Sequence, residues 1–175
     1  MKPTGGILVT GASTGIGRAS ALALAERDFR VFAGVRSEAA AAELDALHER
    51  IAPVSLDVGR GEQIDAALAT VREQLDGRPL WGLMNNAGVF NAAPLEFLPL
   101  DELRRLLEVN VVGALAVTQA FLPLLRRARG RVVLTGSVSG ILTTPMVGGY
   151  CLTKAALESM ADALRQELRG FGIGV

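Results

Sequence analysis

Short, wholly apolar runs alternate along this chain with longer stretches whose apolar residues recur at helical spacing, which predicts strands alternating with helices. Ile7-Leu8-Val9 reads as a strand buried on both faces, followed by a helix over Arg18 to Arg27 that is rich in alanine and leucine. Arg30 to Arg36 predicts the second strand, and Ala39 to His48 a short helix with Ser37 as its cap. Ile51 to Val58 predicts the third strand, where Pro53 is acceptable only at a sheet edge. Gly61 to Leu75 reads as a helix, Gly77-Arg78-Pro79 as a break, and Leu80 to Met84 as strand four. From Asp101 onward Leu103, Leu106, Leu107, Asn110, Ala114, Val117, Phe121 and Leu124 form one helical stripe, with Pro123 implying a kink or an end nearby. Gly130 to Ser137 predicts strand five, Ala155 to Arg169 the last helix, and Ile173-Gly174-Val175 the first residues of a sixth strand.

Polar and glycine residues gather where these strands end. Thr10-Gly11-Ala12-Ser13-Thr14-Gly15-Ile16-Gly17 links the first strand to the first helix. In such a turn Gly11 permits the tight bend, Gly15 lets backbone approach a pyrophosphate, and Gly17 packs helix on strand, while the free amides of the helix face the phosphates. The second strand ends in Arg36 with no acid within it, which favours NADP over NAD, although Glu38 follows closely. Asp57, beside Val58, suits either contact with an adenine or capping of the next helix. Asn85-Asn86-Ala87-Gly88 follows strand four, with small and amide residues that allow close approach to a ribose or make an ordinary turn. Asn110 interrupts its apolar stripe, and a buried amide needs partners, structural or functional.

Tyr150 and Lys154 stand four apart and so project from one face of a helix. A phenol with a pKa near ~10 is a poor acid or base at neutral pH, and a nearby ammonium favours its ionised form. Ser137 lies upstream, where the fifth strand ends.

Composition narrows the field. Eighteen basic residues against eighteen acidic ones give zero formal net charge, so no nucleic acid or anionic membrane is expected as a partner. Arg126, Arg127, Arg129 and Arg131 flank a predicted helix end, where cations suit the dipole. The single cysteine, Cys151, excludes an internal disulfide and suits a reducing, cytoplasmic setting, and the single histidine, His48, lies far from it in sequence. No ligand cluster suggests a metal. Met1 to Gly6 shows no signal sequence, and no apolar run approaches a membrane span.

Taken together, Thr10 to Gly17, Asn86-Ala87-Gly88, Asn110, and Ser137 with Tyr150-x-x-x-Lys154 resemble the short-chain dehydrogenase/reductase family over essentially the whole chain. Thr135-Gly136-Ser137-Val138 and Tyr150-Cys151-Leu152-Thr153-Lys154 look most like its hydroxysteroid and retinol dehydrogenase branch. The resemblance implies an α/β fold, a doubly wound parallel sheet of Rossmann type in three αβα layers, formed by residues 1–175 as one dinucleotide-binding domain. It implies an oxidoreductase that interconverts a secondary alcohol and a ketone or aldehyde, with NADP(H) preferred and NAD(H) possible. Tyr150 would be the general acid/base, Lys154 would bind the nicotinamide ribose, Ser137 the substrate oxygen, and Asn110 a relay water through its backbone. Thr10, Gly11, Ser13, Gly15, Ile16, Gly17, Arg36, Asp57, Val58, Asn86, Ala87 and Gly88 would hold the nucleotide. Ser139 is expected in the following loop. Family members continue into a further strand and a substrate lid after the point where this sequence stops. A small carbonyl or alcohol substrate is expected, with Phe90, Pro94, Leu142 and Met146 suggesting an apolar wall. The helices from Asp101 and Tyr150 are the usual pairing surface, which implies a homodimer or homotetramer.

Overall fold

A computed structural model describes residues 5–175. The expectation that the chain opens without a signal sequence falls mainly on residues 1–4, outside the described residues. The described chain forms strands β1 (Gly6–Val9), β2 (Arg30–Val35), β3 (Ile51–Ser55), β4 (Leu80–Asn85) and β5 (Arg131–Leu134). Its main helices are α1 (Gly15–Ala25), α2 (Glu38–Asp45), α3 (Gly61–Leu75), α4 (Leu100–Leu107), α5 (Ala114–Ala128) and α6 (Gly148–Leu168).

The strands make one parallel sheet in the order β3-β2-β1-β4-β5. Strand order therefore reverses between β1 and β4, and the chain winds outward from that junction in both directions, as a doubly wound sheet does. Val31, Phe32, Ala33 and Val35 are all buried, which is why β2 reads as a continuous apolar run rather than an alternating one. Pro53 pairs with Ala33 on edge strand β3, where its missing N–H interrupts no ladder. Beyond β5, Gly174 makes a parallel bridge to Arg131, and its carbonyl accepts from the Val132 N–H at 2.8 Å. That bridge is the extent of a sixth strand among the described residues.

Two apolar clusters sandwich the sheet. On one side Ala21 and Ala25 of α1 and Leu44 of α2 pack against Val9, Val31 and Ala33. On the other, Val71 of α3, Val117, Phe121 and Leu125 of α5, and Leu164 of α6 pack against Leu8, Phe32, Leu83 and Val132. A fully buried leucine or phenylalanine contributes about 1.5–3 kcal/mol, so this second, larger cluster dominates the stabilisation.

Several boundaries differ from those expected. β3 stops at Ser55 rather than Val58, because the Leu56 N–H reaches the Val35 carbonyl at 2.8 Å and the chain then turns. Pro123 does not end α5, which continues to Ala128; Pro123 and Gln119 one turn before it are both exposed, so the carbonyl that the proline leaves without a donor meets solvent. The buried stripe ends at Leu125 rather than Leu124. Between α4 and α5 the helix widens into a single π turn, Glu108–Gly113. Counted through that turn, Leu100–Ala128 is one apolar helix long enough to cross a membrane, contrary to the expectation drawn from the sequence. It is also a core helix, since Leu106, Val117, Phe121 and Leu125 are wholly buried in the fold.

Candidate active site

The carboxyl ends of the strands open into a cleft of ≈ 550 Å³ at the β1/β4 junction, within the usual range of ligand sites. One end is built by the turn before α1. Gly15 has φ +55° with nothing within 4 Å of where a side chain would begin, so its backbone stands open to the cleft. Thr14, at the N-cap position of α1, makes no side-chain capping bond and the first turn carries no acid. The leading amides of α1 are thus left without a side-chain acceptor, whereas Ser37 caps α2 by accepting from the Ala40 N–H at 3.3 Å. An open glycine, uncapped amides and the positive end of the dipole fit a phosphate-bearing group.

Gly11, Ser13, Gly15, Ile16, Arg36, Asp57, Val58, Asn86, Ala87, Gly88, Ser137, Tyr150 and Lys154 all line this cleft. Thr10, Gly17 and Asn110 do not; they stand behind its wall and hold it in shape. The Thr10 hydroxyl accepts from the Asn86 N–H at 3.0 Å and the Ala87 N–H at 2.9 Å, tying β1 to the turn after β4. Asn86 answers by donating its side-chain amide to the carbonyls of Thr10 and Gly11, both at 3.1 Å. A side chain on Gly17 would start 2.3 Å from the Gly11 carbonyl and 2.5 Å from Asn86 Nδ2, so only glycine lets α1 approach this knot.

Asn110 sits in the π turn and is 1 % exposed. Its side chain is engaged in structure, bonding both backbone groups of Val89 and donating to Thr153 Oγ1 at 3.0 Å. Thr153 in turn donates to the Tyr150 carbonyl at 2.8 Å. The asparagine therefore couples the Asn86-Ala87-Gly88 turn to the first turn of α6. π turns are over-represented at functional sites, where the extra residue re-aims a side chain.

α6 begins at Gly148, so Tyr150 and Lys154 both lie within the helix, on the side facing the cleft. Lys154 is 6 % exposed and donates to the Thr135 carbonyl at 2.6 Å, with its ammonium 5.6 Å from the centre of the Tyr150 ring. Burial lowers the pKa of this lysine from its ordinary value, and the carboxylate of Glu158 opposes that shift. Phe90 meets the Tyr150 ring edge-on with centroids 5.0 Å apart, fixing the ring's tilt. Ser137 accepts from the Ser139 N–H at 3.1 Å while also lining the cleft, and Ser139 itself lies in the turn beyond it.

At the far end Arg36 lines the cleft, exposed, and makes no ion pair among the described residues. Glu38 is absent from the lining and belongs to the first turn of α2. Asp57 does not cap α3, whose N-cap position is Arg60; its carboxylate accepts from the Gly59 N–H at 3.0 Å within the preceding turn. Of the apolar residues expected near the substrate, Phe90 lines the cleft, while Pro94, Leu142 and Met146 lie outside it. Cys151 is buried in α6, and no metal-binding group exists among the described residues. The bonds made by Thr135 and Thr153 escaped the sequence reading, because hydroxyl and carbonyl partners are chosen by tertiary contacts that spacing does not reveal.

A model of the short chain dehydrogenase family matches residues 6–175. The chain belongs to the short-chain dehydrogenase family. Among its relatives, it is 38% identical over 176 residues to D-beta-hydroxybutyrate dehydrogenase, mitochondrial, of Rattus norvegicus, covering 97% of this chain and 51% of that protein. It is 39% identical to 17-beta-hydroxysteroid dehydrogenase type 6 and 40% identical to retinol dehydrogenase 16, both of Homo sapiens, each match covering 97% of this chain and 54% of the relative. A crystal structure of a short-chain dehydrogenase from Streptomyces avermitilis superposes with a TM-score of 0.93 at 37% identity, covering 100% of this chain and 64% of that one. The chain thus spans about half the length of these curated relatives. The likeness to the hydroxysteroid and retinol dehydrogenase branch agrees with the motifs read from the sequence.

Proposed function

We propose that this chain carries the nucleotide-binding and catalytic portion of an NADP(H)-preferring oxidoreductase that interconverts a secondary alcohol and a ketone, or an aldehyde. The observation that carries the proposal is the convergence of Ser137, Tyr150 and Lys154 on one cleft whose opposite end is the uncapped start of α1. A nicotinamide dinucleotide, when bound, supplies or accepts the hydride. The chain's own residues supply position and protons. Ser137 donates to the substrate oxygen, and the Tyr150 hydroxyl gives that oxygen a proton in reduction or takes one in oxidation. The Lys154 ammonium offsets the negative charge left on the phenol and holds the ribose. Preference for NADP(H) is supported by Arg36, an exposed guanidinium on the cleft wall able to pair with an additional phosphate. An apolar substrate is supported by Phe90 against the Tyr150 ring.

Tyr150→Phe tests this reading. The variant is expected to lose carbonyl-dependent consumption of NADPH by ~100-fold or more, while fluorescence titration still detects nucleotide binding. Turnover near that of the parent would refute the assignment of Tyr150. A second reading is a nucleotide-binding module without catalysis, for which the open Gly15 backbone and the uncapped start of α1 suffice. It expects NADPH binding with no hydride transfer to any of a panel of carbonyls. Assembly through the outer faces of α5 and α6 is supported by Leu152 at 52% exposure and, in the adjoining π turn, Val112 at 49%; sedimentation as a monomer alone would reject it.

A further inference from the structure

Beyond Lys154, one more helical turn along α6, stands Glu158. Two glycines of the Ser137 turn rest against it. A side chain on Gly136 would start 2.6 Å from Glu158 Oε1, and one on Gly140 would start 3.0 Å from both Glu158 Cγ and the Lys154 carbonyl. The turn from Gly136 to Gly140 therefore lies against the Glu158 side chain, Gly136 at its carboxylate and Gly140 at its stem. The same residue stands one helical turn from the buried Lys154, and its carboxylate opposes the lowering of that lysine's pKa by burial.

Other charged groups leave that position to Glu158. Residues 85–95 and 136–149, the two loops that flank the site, contain no charged side chain. On α4, Asp101 is paired with Arg104 and Glu102 with Arg105, and Glu108 of the π turn is exposed. Arg36 and Asp57 line the cleft from the ends of β2 and β3, Tyr150 shares α6, and the remaining direct partner of Lys154 is the uncharged Thr135 carbonyl.

We propose that Glu158 is a positioning residue for this site: its stem is the seat of the Ser137 turn, and its carboxylate is the countercharge that keeps Lys154 an ammonium. The proposal rests on the reading of Lys154 and Ser137 as site residues, but its test needs neither nucleotide nor turnover. Lys2 and Lys154 are the only lysines in the sequence, so lysine-selective isotope labelling of the whole chain yields two side-chain signals, assigned by the loss of one in Lys154→Met.

Glu158→Gln keeps the stem and removes the charge. It is expected to shift the Lys154 titration to lower pH and leave Lys2 unmoved, with backbone amide signals of residues 136–140 near those of the parent. Glu158→Asp is expected to restore part of the Lys154 shift. Glu158→Ala, which also removes the stem, is expected to displace the amide signals of 136–140 beyond what glutamine does. An unmoved Lys154 titration in Glu158→Gln overturns the countercharge, and undisturbed amides in Glu158→Ala overturn the seat. A parent chain that binds nucleotide without turnover would sink the catalytic reading and leave both results standing, so the two failures are distinguishable.

Discussion

The side chain of Asn110 closes on the backbone of Val89 from both sides, accepting its N–H at 2.7 Å and donating to its carbonyl at 2.9 Å. This is the pairing one strand offers another, made here by an amide side chain reaching from a helix. Asn110→Leu removes both bonds and the one to Thr153. Each buried group left unpaired costs about 1–3 kcal/mol, so a loss of roughly 2–4 kcal/mol in unfolding free energy is expected, measured by denaturant titration. Asn110→Asp keeps the acceptor alone and is expected to fall between leucine and the parent.

Gly17→Ala places a methyl against the Gly11 carbonyl and the Asn86 amide. Neither can yield without breaking the knot that shapes the turn before α1. The variant is expected to lose about 1–3 kcal/mol of stability and, in the fraction that stays folded, to bind nucleotide at least ~10-fold more weakly. Thermal unfolding with and without NADPH separates the two effects.

Arg36→Gln tests the proposed nucleotide preference. Removing a charge-assisted contact worth about 1.5–3 kcal/mol should weaken NADPH binding roughly 10- to 100-fold and leave NADH within about threefold. Equal losses for both nucleotides would assign Arg36 to the adenosine or to folding instead of the additional phosphate.

Burial of Lys154 gives the fold a dependence on pH whose sign is fixed. Its folded pKa lies below the ordinary 10.5, so between those two values the unfolded chain binds the proton that the folded chain has lost. Stability from this group is complete above 10.5 and falls away as pH drops through the folded value. Compared with Lys154→Met, the parent is therefore expected to gain stability as pH rises toward 10.5. Subtracting the two unfolding curves removes the other titrating groups, and a difference that stays level with pH would contradict this account.

Most of the scaffold could be read from the residues alone, because a buried parallel strand must be apolar on both faces and its ends must be polar or glycine. The run at β2 and the helix Gly61–Leu75 needed no tertiary information. The π turn was invisible, since an apolar stripe interrupted by Asn110 fits an ordinary helix equally well. Gly148 and Gly149 are poor helix formers, yet α6 includes them; tertiary packing overrides that preference, as Leu95 and Leu98 lie where their side chains would be. Asp57 was left between two roles, and the structure gives its carboxylate a local turn to hold. The cleft residues were legible as motifs, whereas the hydroxyls of Thr10 and Thr153 act through partners far away in sequence.

The widened turn at Glu108–Gly113 also constrains how this chain can change. Deleting one residue there would restore a regular spiral and leave the helix beyond it in phase, because the wider turn takes about one residue more for the same rotation. Val117, Phe121 and Leu125 would stay against the sheet, and the change would fall on the turn that holds Asn110. The irregularity is thus separable from the hydrophobic interior, and what depends on it is the one amide it holds in place.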